Sequence, residues 1–290
     1  MTTLQIWWQA ARPKTLGAAV GPVLIGTVLA AHDGASHAPA ALAALAGALL
    51  IQIGTNFCND YGDFVRGADA TGRKGPVRAT QAGLVAPRAM IAATALAFLA
   101  AALCGLYLIS RGGWPIALTG AICILCGILY TSGPWPLAYV GLGDLFVLIF
   151  FGPVAVGGTY FVQARHLTTP AVLAGLAPGL LSVAILTVNN LRDIEQDRLN
   201  RKRTLAVRFG AAFARWEYAA CFAGAALVPL ALWILRGCTG WVWFASFALL
   251  PALPLLQIVF QHPDRLNPVL GKTSGILLLY SAIFACSWIL

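Results

Sequence analysis

The sequence predicts an all-α, polytopic membrane protein of nine transmembrane helices arranged as two similar halves. Three observations predict it: an apolar composition, continuous apolar runs of bilayer length, and a one-sided distribution of basic residues. Of 290 residues, 59% are hydrophobic and 10% charged, and the mean hydropathy is +0.80. A soluble domain carries roughly 25% charged residues.

A helix needs about 20 mostly apolar residues to cross a bilayer. Nine segments meet that length, at about 15–31, 39–58, 89–109, 114–131, 142–162, 171–190, 213–235, 240–260 and 272–290. Several contain Gly and Pro, which membrane helices tolerate. The runs are continuous rather than alternating, which excludes a β-barrel. The opening "MTTLQIWWQAARPKTL" is polar and aromatic, unlike a cleavable signal. With the N-terminus inside, 16 of the 19 Lys and Arg residues fall on the cytoplasmic side, all but Arg111, Arg165 and Arg236. This positive-inside pattern places the N-terminus and the basic loops in the cytoplasm, and the expected location is a bacterial cytoplasmic (inner) membrane. It accounts for the net charge of +9, together with anionic lipid heads, so a nucleic-acid partner is not implied.

Residues 1–290 read as one integral-membrane domain, because no soluble unit can be cut out. Its longest polar stretches, 59–88 and 191–212, follow the second and sixth spans and so emerge on the same side. Six of the ten acidic residues lie there: Asp60, Asp63 and Asp69, then Asp193, Glu195 and Asp197. Asn56-x-x-x-Asp60 recurs as Asn189-x-x-x-Asp193, and each is followed by basic residues, which defines the motif regions 56–88 and 189–210. Cys123 and Cys126 form a C-x-x-C inside a span, where they read as small apolar residues rather than a metal or redox pair. The four histidines show no paired spacing, so no zinc site is indicated.

Residues three or four apart share a helix face, so Asn56, Asp60 and Asp63 line one face, and Asn189 or Asn190, Asp193 and Asp197 another. Carboxylates so spaced repel unless neutralised. Magnesium suits them, as a hard cation held by carboxylates plus a substrate's phosphates. Lys74, Arg78, Lys202 and Arg203 would take the remaining phosphate oxygens. Asp69 lies past the helix end and Glu195 points off the Asp193/Asp197 face. A metal-bound diphosphate beside a lipidic cavity suggests a polyprenyl diphosphate, its head in the polar site and its tail among the helices. The residues alone lead to magnesium-dependent diphosphate chemistry at a membrane face. An ion-coupled transporter, which would place acids at the bilayer midplane, and a lipid-binding scaffold are the alternatives from other classes.

Asn59-Asp60-Tyr61-Gly62-Asp63 with Asp193-x-x-x-Asp197 resembles the paired aspartate signature of the UbiA superfamily of intramembrane prenyltransferases. "ARPKTL" (11–16), "GPVRATQAGLV" (75–85), "YTSGPWPLAYVGLGDLFVLIFFGPVAVGGTYFVQ" (130–163) and "NNLRDIEQDRLNRKRTLAVRFG" (189–210) narrow the resemblance to the branch acting on 1,4-dihydroxy-2-naphthoate in menaquinone biosynthesis. The resemblance covers residues 8 to 210. It implies a nine-helix bundle around a central cavity, capped on the cytoplasmic side. The implied reaction joins a polyprenyl diphosphate to the naphthoate ring with loss of diphosphate and carbon dioxide. It further implies that Asn56, Asp60, Asp63, Asn189, Asp193 and Asp197 hold magnesium and diphosphate, and that Lys74, Arg78 and Lys202 grip phosphate. Tyr130 would border the cation or the acceptor, and Arg12 and Lys14 would meet the acceptor's carboxylate. Three positions depart from the pattern. Gly67 stands where the superfamily commonly has aspartate, Arg201 replaces a glycine, and Asp144, in the acceptor pocket, replaces the branch's glutamate after "GLG". 4-Hydroxybenzoate and homogentisate are the acceptors of the nearest rival reading.

Overall fold

The computed structural model describes residues 1–67, 75, 77–236 and 240–289, and every regular element among them is helical. Helix α1 (Thr3–Ala11) begins with a reciprocal cap, in which Thr2 and Gln5 each bond the other's backbone N–H. It stops at Arg12, which turns left-handed (φ 54) ahead of Pro13. After a 3-10 turn, α2 (Gly17–His32) departs at 53°, so the first expected span, 15–31, is the second arm of a bent pair whose first arm is Thr3–Thr15.

Six more helices carry the bundle forward: α3 (Ala38–Val65), α4 (Pro87–Gly112), α5 (Trp114–Leu129), α6 (Gly143–Ile149), α7 (Ala155–Ala164) and α8 (Thr169–Arg192). A π-helical turn at Phe150–Val154, where Gly152 leaves helical geometry ahead of Pro153, joins α6 to α7. A short α9 (Ile194–Leu199) precedes α10 (Leu205–Arg236), a long 3-10 segment (Gly240–Ala252), α11 (Leu253–Gln261) and α12 (Leu266–Ile289). Among the described residues seven segments are long and apolar enough to span a bilayer, or eight with the bent pair. The expected fourth span, α5, is helical and apolar but only 16 residues long. All nine expected segments are therefore apolar helix in the expected order, while the count of nine full-length spans is not reached.

Helix α8 is central, with 72% of its most apolar window buried against 17% for α3. It packs on α10 and α12, and crosses the π turn closely. A Cβ at Gly175 would stand 2.7 Å from the Pro153 backbone, and one at Gly179 2.6 Å from the Leu148 carbonyl oxygen. Small residues of this kind let membrane helices approach without a hydrophobic driving force. The main core joins α2, α7, α8, α10 and α12. A second, smaller cluster around Phe57, Ala79 and Met90 fixes α1 and the 79–85 turns against α3.

Helix length places the polar groups. At 1.5 Å per residue the 28 residues of α3 reach roughly 42 Å, beyond the ~30 Å hydrocarbon core. Its last turns, Asn56 to Asp63, therefore stand at the membrane boundary.

Candidate active site

A cavity of about 650 Å³ runs between α3–α5 on one side and α2, α6–α8 on the other. Its polar end gathers Asn59, Asp63, Arg78, Asp193, Asp197 and Lys202, and its far wall is apolar, with Ala44, Gly105, Ile109 and Ile116. Ala44 and Asp63 both lie on α3, so the cavity follows that helix for roughly 28 Å. The acids cluster at one end, unlike the midplane acids of the transporter alternative.

Asp63 is the most engaged of them. One carboxylate oxygen accepts from Arg78 Nη2 at 2.6 Å. The other accepts from the Tyr139 hydroxyl at 3.1 Å and meets Lys202 Nζ at 3.1 Å. Lys202 also faces Asp197 at 3.9 Å, and so joins the acids of the two halves. In the second half Arg192 holds Asp193 through two contacts of 2.8 and 2.6 Å, and bonds Asn189 Oδ1 (2.9 Å) and Asn267 Oδ1 (3.2 Å). Asn189, Asp193 and Asp197 all line the cavity.

Asp60 differs from expectation. Its two oxygens accept the backbone N–H groups of Thr80 and Ala79, each at 3.0 Å, and the residue is 2% exposed and absent from the cavity wall. This carboxylate anchors the turn that carries Arg78, a geometry at odds with its expected place among metal ligands. Asn56 lines the cavity while its amide donates to the Ala11 carbonyl (2.9 Å), tying α3 to α1. Asn59 takes the position expected of Asp60. It lines the cavity, and its Oδ1 accepts from the Thr131 hydroxyl at 2.9 Å. The sequence carried the signal for this, since Asn59 and Asp63 share the four-residue spacing of Asp193 and Asp197. Gln196, which also lines the cavity, had no such signal.

The basic residues divide as well. Arg78 and Lys202 line the cavity, and Lys74 lies outside the described residues. Arg203 is exposed and off the cavity wall. Its backbone N–H donates to the Tyr139 carbonyl (3.0 Å), and its own carbonyl accepts from Arg208. Arg12 lines the cavity, placed there by its left-handed turn. Lys14 does not: it is exposed and lies along Gly271 of α12. Tyr130 lines the cavity, and Asp144 is buried off its wall. Among the described residues Glu195 pairs only with exposed Arg198, as its off-face position predicts.

Tyr139 was not singled out by the sequence, yet it organises the cap. Its ring lies 4.9 Å beneath Lys202 Nζ and 5.0 Å beneath the Arg66 guanidinium. Arg66, from the first half, donates to the Thr131 and Gly133 carbonyls, and Arg208, from the second, to Val140. Gly141 (φ +76) permits this approach, because a Cβ there would meet the Arg203 carbonyl at 2.6 Å. The 130–142 loop is thus stapled to both halves over the polar end.

Among the described residues no three His, Cys, Asp or Glu side chains converge on one point. The donors are instead carboxylate and amide oxygens on two opposed helix ends, a hard-oxygen set that suits magnesium completed by phosphate oxygens. Arg78 and Lys202 pair with Asp63, and Arg192 with Asp193.

A diphosphate-type polar head above a long apolar shaft, within an all-helical membrane bundle, defines an intramembrane prenyltransferase. The chain belongs to the UbiA prenyltransferase family, whose model matches residues 19–270. It is 38% identical over 289 residues to the 1,4-dihydroxy-2-naphthoate octaprenyltransferase of Escherichia coli (strain K12), covering 97% of this chain and 94% of the relative. It is 39% identical over 287 residues to the protein of that name from Mycobacterium tuberculosis (strain ATCC 25618 / H37Rv), covering 98% and 97%. Its fold matches a UbiA homolog from Aeropyrum pernix K1 (TM-score 0.67, 14% identity, 99% and 98% covered). It also matches a UbiA homolog from Archaeoglobus fulgidus bound to GPP and Mg2+ (TM-score 0.64, 14% identity, 98% and 99% covered).

Proposed function

We propose that this prenyltransferase transfers a polyprenyl group from polyprenyl diphosphate to 1,4-dihydroxy-2-naphthoate, releasing diphosphate and carbon dioxide to give demethylmenaquinone. The observation that carries the chemistry is the meeting of Asp63 and Asp197, from opposite halves, across Lys202 at the polar end of the apolar cavity. The relatives that match nearly the whole chain, named for this acceptor, support its identity.

Asn59, Asp63, Asn189, Asp193 and Asp197 would hold magnesium with the diphosphate, while Asp60 fixes the turn that aims Arg78. Magnesium, when bound, neutralises the diphosphate and stabilises the charge that develops as it leaves. Arg78 and Lys202, now on Asp63, turn to the phosphate oxygens once the donor enters. Tyr139 keeps Lys202 over the site during that exchange. The prenyl tail lies along the apolar wall, where water is excluded from the allylic cation. Arg12, at the cavity's polar end, receives the acceptor's carboxylate. That carboxylate departs as carbon dioxide, and its bonding electrons restore the ring.

The reading is tested by mass spectrometry of products from purified protein, magnesium, a polyprenyl diphosphate and each aromatic acid in turn. Prenylated, decarboxylated naphthoquinol is expected to predominate. Preferred prenylation of 4-hydroxybenzoate or homogentisate would assign the chain to a sister activity.

The site faces the cytoplasm of a bacterial inner membrane, a placement that rests on the basic asymmetry. A cysteine at Arg198 should react with a membrane-impermeant thiol reagent only after the inner face is opened, and one at Ser36 from outside. Both positions are exposed, and the native cysteines are first replaced. The opposite labelling pattern inverts the topology.

A further inference from the structure

The outward surface of α1 divides into two chemistries. Ile6, Trp7 and Ala10 turn inward, against α3 and the 79–85 turns. Leu4 and Trp8, one helical turn apart, are 79% and 61% exposed. Gln5 and Gln9, also exposed and one turn apart, lie about 100° further round the helix. An apolar face and a polar face therefore stand side by side, both open. A helix in water has no use for the first, and a helix crossing the bilayer has none for the second. The boundary between lipid and water suits both.

Three further observations place α1 at that boundary. Trp7 packs edge-on against Phe57, with ring centroids 5.5 Å apart, and Phe57 lies where α3 emerges from the hydrocarbon. The 53° bend turns α1 away from the axis of α2, the arm that enters the bundle. The charge is complementary to anionic lipid heads, since the first acid of the sequence is Asp33, while Lys14 is exposed at the bend.

What α1 carries into the site is Arg12. Its N–H donates to the Gln9 carbonyl (3.0 Å), and its carbonyl accepts from the Thr15 N–H (2.9 Å) and hydroxyl (3.0 Å). Asn56, on the cavity wall, holds the preceding residue through the Ala11 carbonyl. Arg12 is thus built rigidly onto the end of α1, and a tilt of that helix moves it relative to the cavity.

We propose that α1 is an interfacial helix that docks on the lipid leaflet beside the polar end of the cavity. Leu4 and Trp8 sit among the acyl chains, Gln5 and Gln9 face water, and this seating holds Arg12 in place for the acceptor's carboxylate. Only that last step rests on the prenyl-transfer reading above. It does not depend on which acceptor is used, because 4-hydroxybenzoate and homogentisate are carboxylates too. Acceptor binding, unlike donor binding, then depends on contact with lipid.

The first test needs no turnover. The full-length protein, its native cysteines replaced, is placed in phosphatidylcholine–phosphatidylglycerol nanodiscs with an environment-sensitive fluorophore on Leu4→Cys or Gln5→Cys. Lipid nitroxides near the headgroup should quench the Leu4→Cys label several-fold more than the other, and aqueous iodide should show the reverse order. Equal iodide quenching of the two labels puts α1 in water and overturns the seating. A Leu4→Cys label shielded only in discs that hold two copies assigns the face to a second chain and overturns the lipid occupant.

The second test reads the coupling to Arg12. Trp8→Glu should raise the acceptor KM about tenfold while donor KM and kcat stay within about twofold, the pattern of lost ground-state binding. Trp8→Leu should restore the wild-type value. Trp7→Ala cuts the contact with Phe57 and leaves the lipid face whole, so it should raise the acceptor KM without moving the Leu4→Cys label. An unchanged acceptor KM in Trp8→Glu, or an equal rise in donor KM, overturns the coupling. Failure of the wild type to prenylate any of the three acceptors would overturn the functional reading instead, while the labels still decide the seating.

Discussion

Asp63→Asn and Asp197→Asn should each lower turnover by at least a hundredfold, about 2.7 kcal/mol of transition-state stabilisation. Both residues line the polar end and meet the same Lys202 ammonium. Removing either charge leaves the diphosphate held from one half alone, so the allylic carbon no longer stands where the acceptor waits. The double variant should be little worse than either single one, because the two acids act on a single substrate as one unit. Asparagine keeps the volume and an acceptor oxygen, which limits the stability penalty of leaving Arg78 without its carboxylate. Asp60→Asn should behave differently. Its amide cannot accept both the Ala79 and Thr80 N–H groups as the carboxylate does, so the turn loosens. About a tenfold loss is expected, together with a lower unfolding temperature. Glu195→Ala, removing an exposed ion pair, should cost less than about threefold. Initial rates and thermal unfolding in detergent separate the three classes. Wild-type turnover in Asp63→Asn would remove the central acid from the mechanism.

The ordering of these variants also shows what the sequence could and could not reveal. The apolar segments, the one-sided bases and the two acidic helix ends were legible because each is a local pattern imposed by the bilayer. The bend at Arg12 was not, since a left-handed arginine before Pro13 carries no hydropathic signal. Helical spacing placed acids on a common face but left the register open. Asn56/Asp60 and Asn59/Asp63 obey the same four-residue rule, and only the packing of the 79–80 turn against Asp60 decides between them. The resemblance implies Lys14 at the acceptor's carboxylate, and the basic stretch after Asp197 puts Arg203 among the expected phosphate partners. A chain that turns at residues 12–15 and 201–204 sends adjacent side chains to opposite sides, so Arg12 and Lys202 face the cavity while Lys14 and Arg203 face out. Tyr139 escaped notice for a related reason. Its value lies in cations from two distant segments, Arg66 and Lys202, which meet only in the folded protein.

Chelating divalent cations should abolish turnover, and added magnesium should restore it. The effect is expected to exceed that of any single acid, because removing the metal releases every carboxylate from its ligand role at once. A more specific consequence follows from the ion pairs. Asp63 is held by Arg78 and Lys202, and Asp193 by Arg192, so magnesium alone must displace buried and partly buried cations before it can bind. A diphosphate relieves that opposition in two ways: it offers Arg78 and Lys202 new anionic partners, and it supplies oxygens to complete the coordination. Magnesium and donor should therefore bind with positive coupling, each raising the other's affinity by the same factor. Titration calorimetry with inorganic pyrophosphate in place of the donor isolates this coupling from turnover. Magnesium affinity should rise at least tenfold when pyrophosphate saturates the protein. Lys202→Met removes one of the competing cations, so it should tighten magnesium binding in the absence of pyrophosphate while weakening it in its presence. Equal magnesium affinity with and without pyrophosphate would mean that the carboxylates form a metal site on their own. Full turnover in metal-free buffer would instead leave Arg78, Arg192 and Lys202 to neutralise the diphosphate unaided.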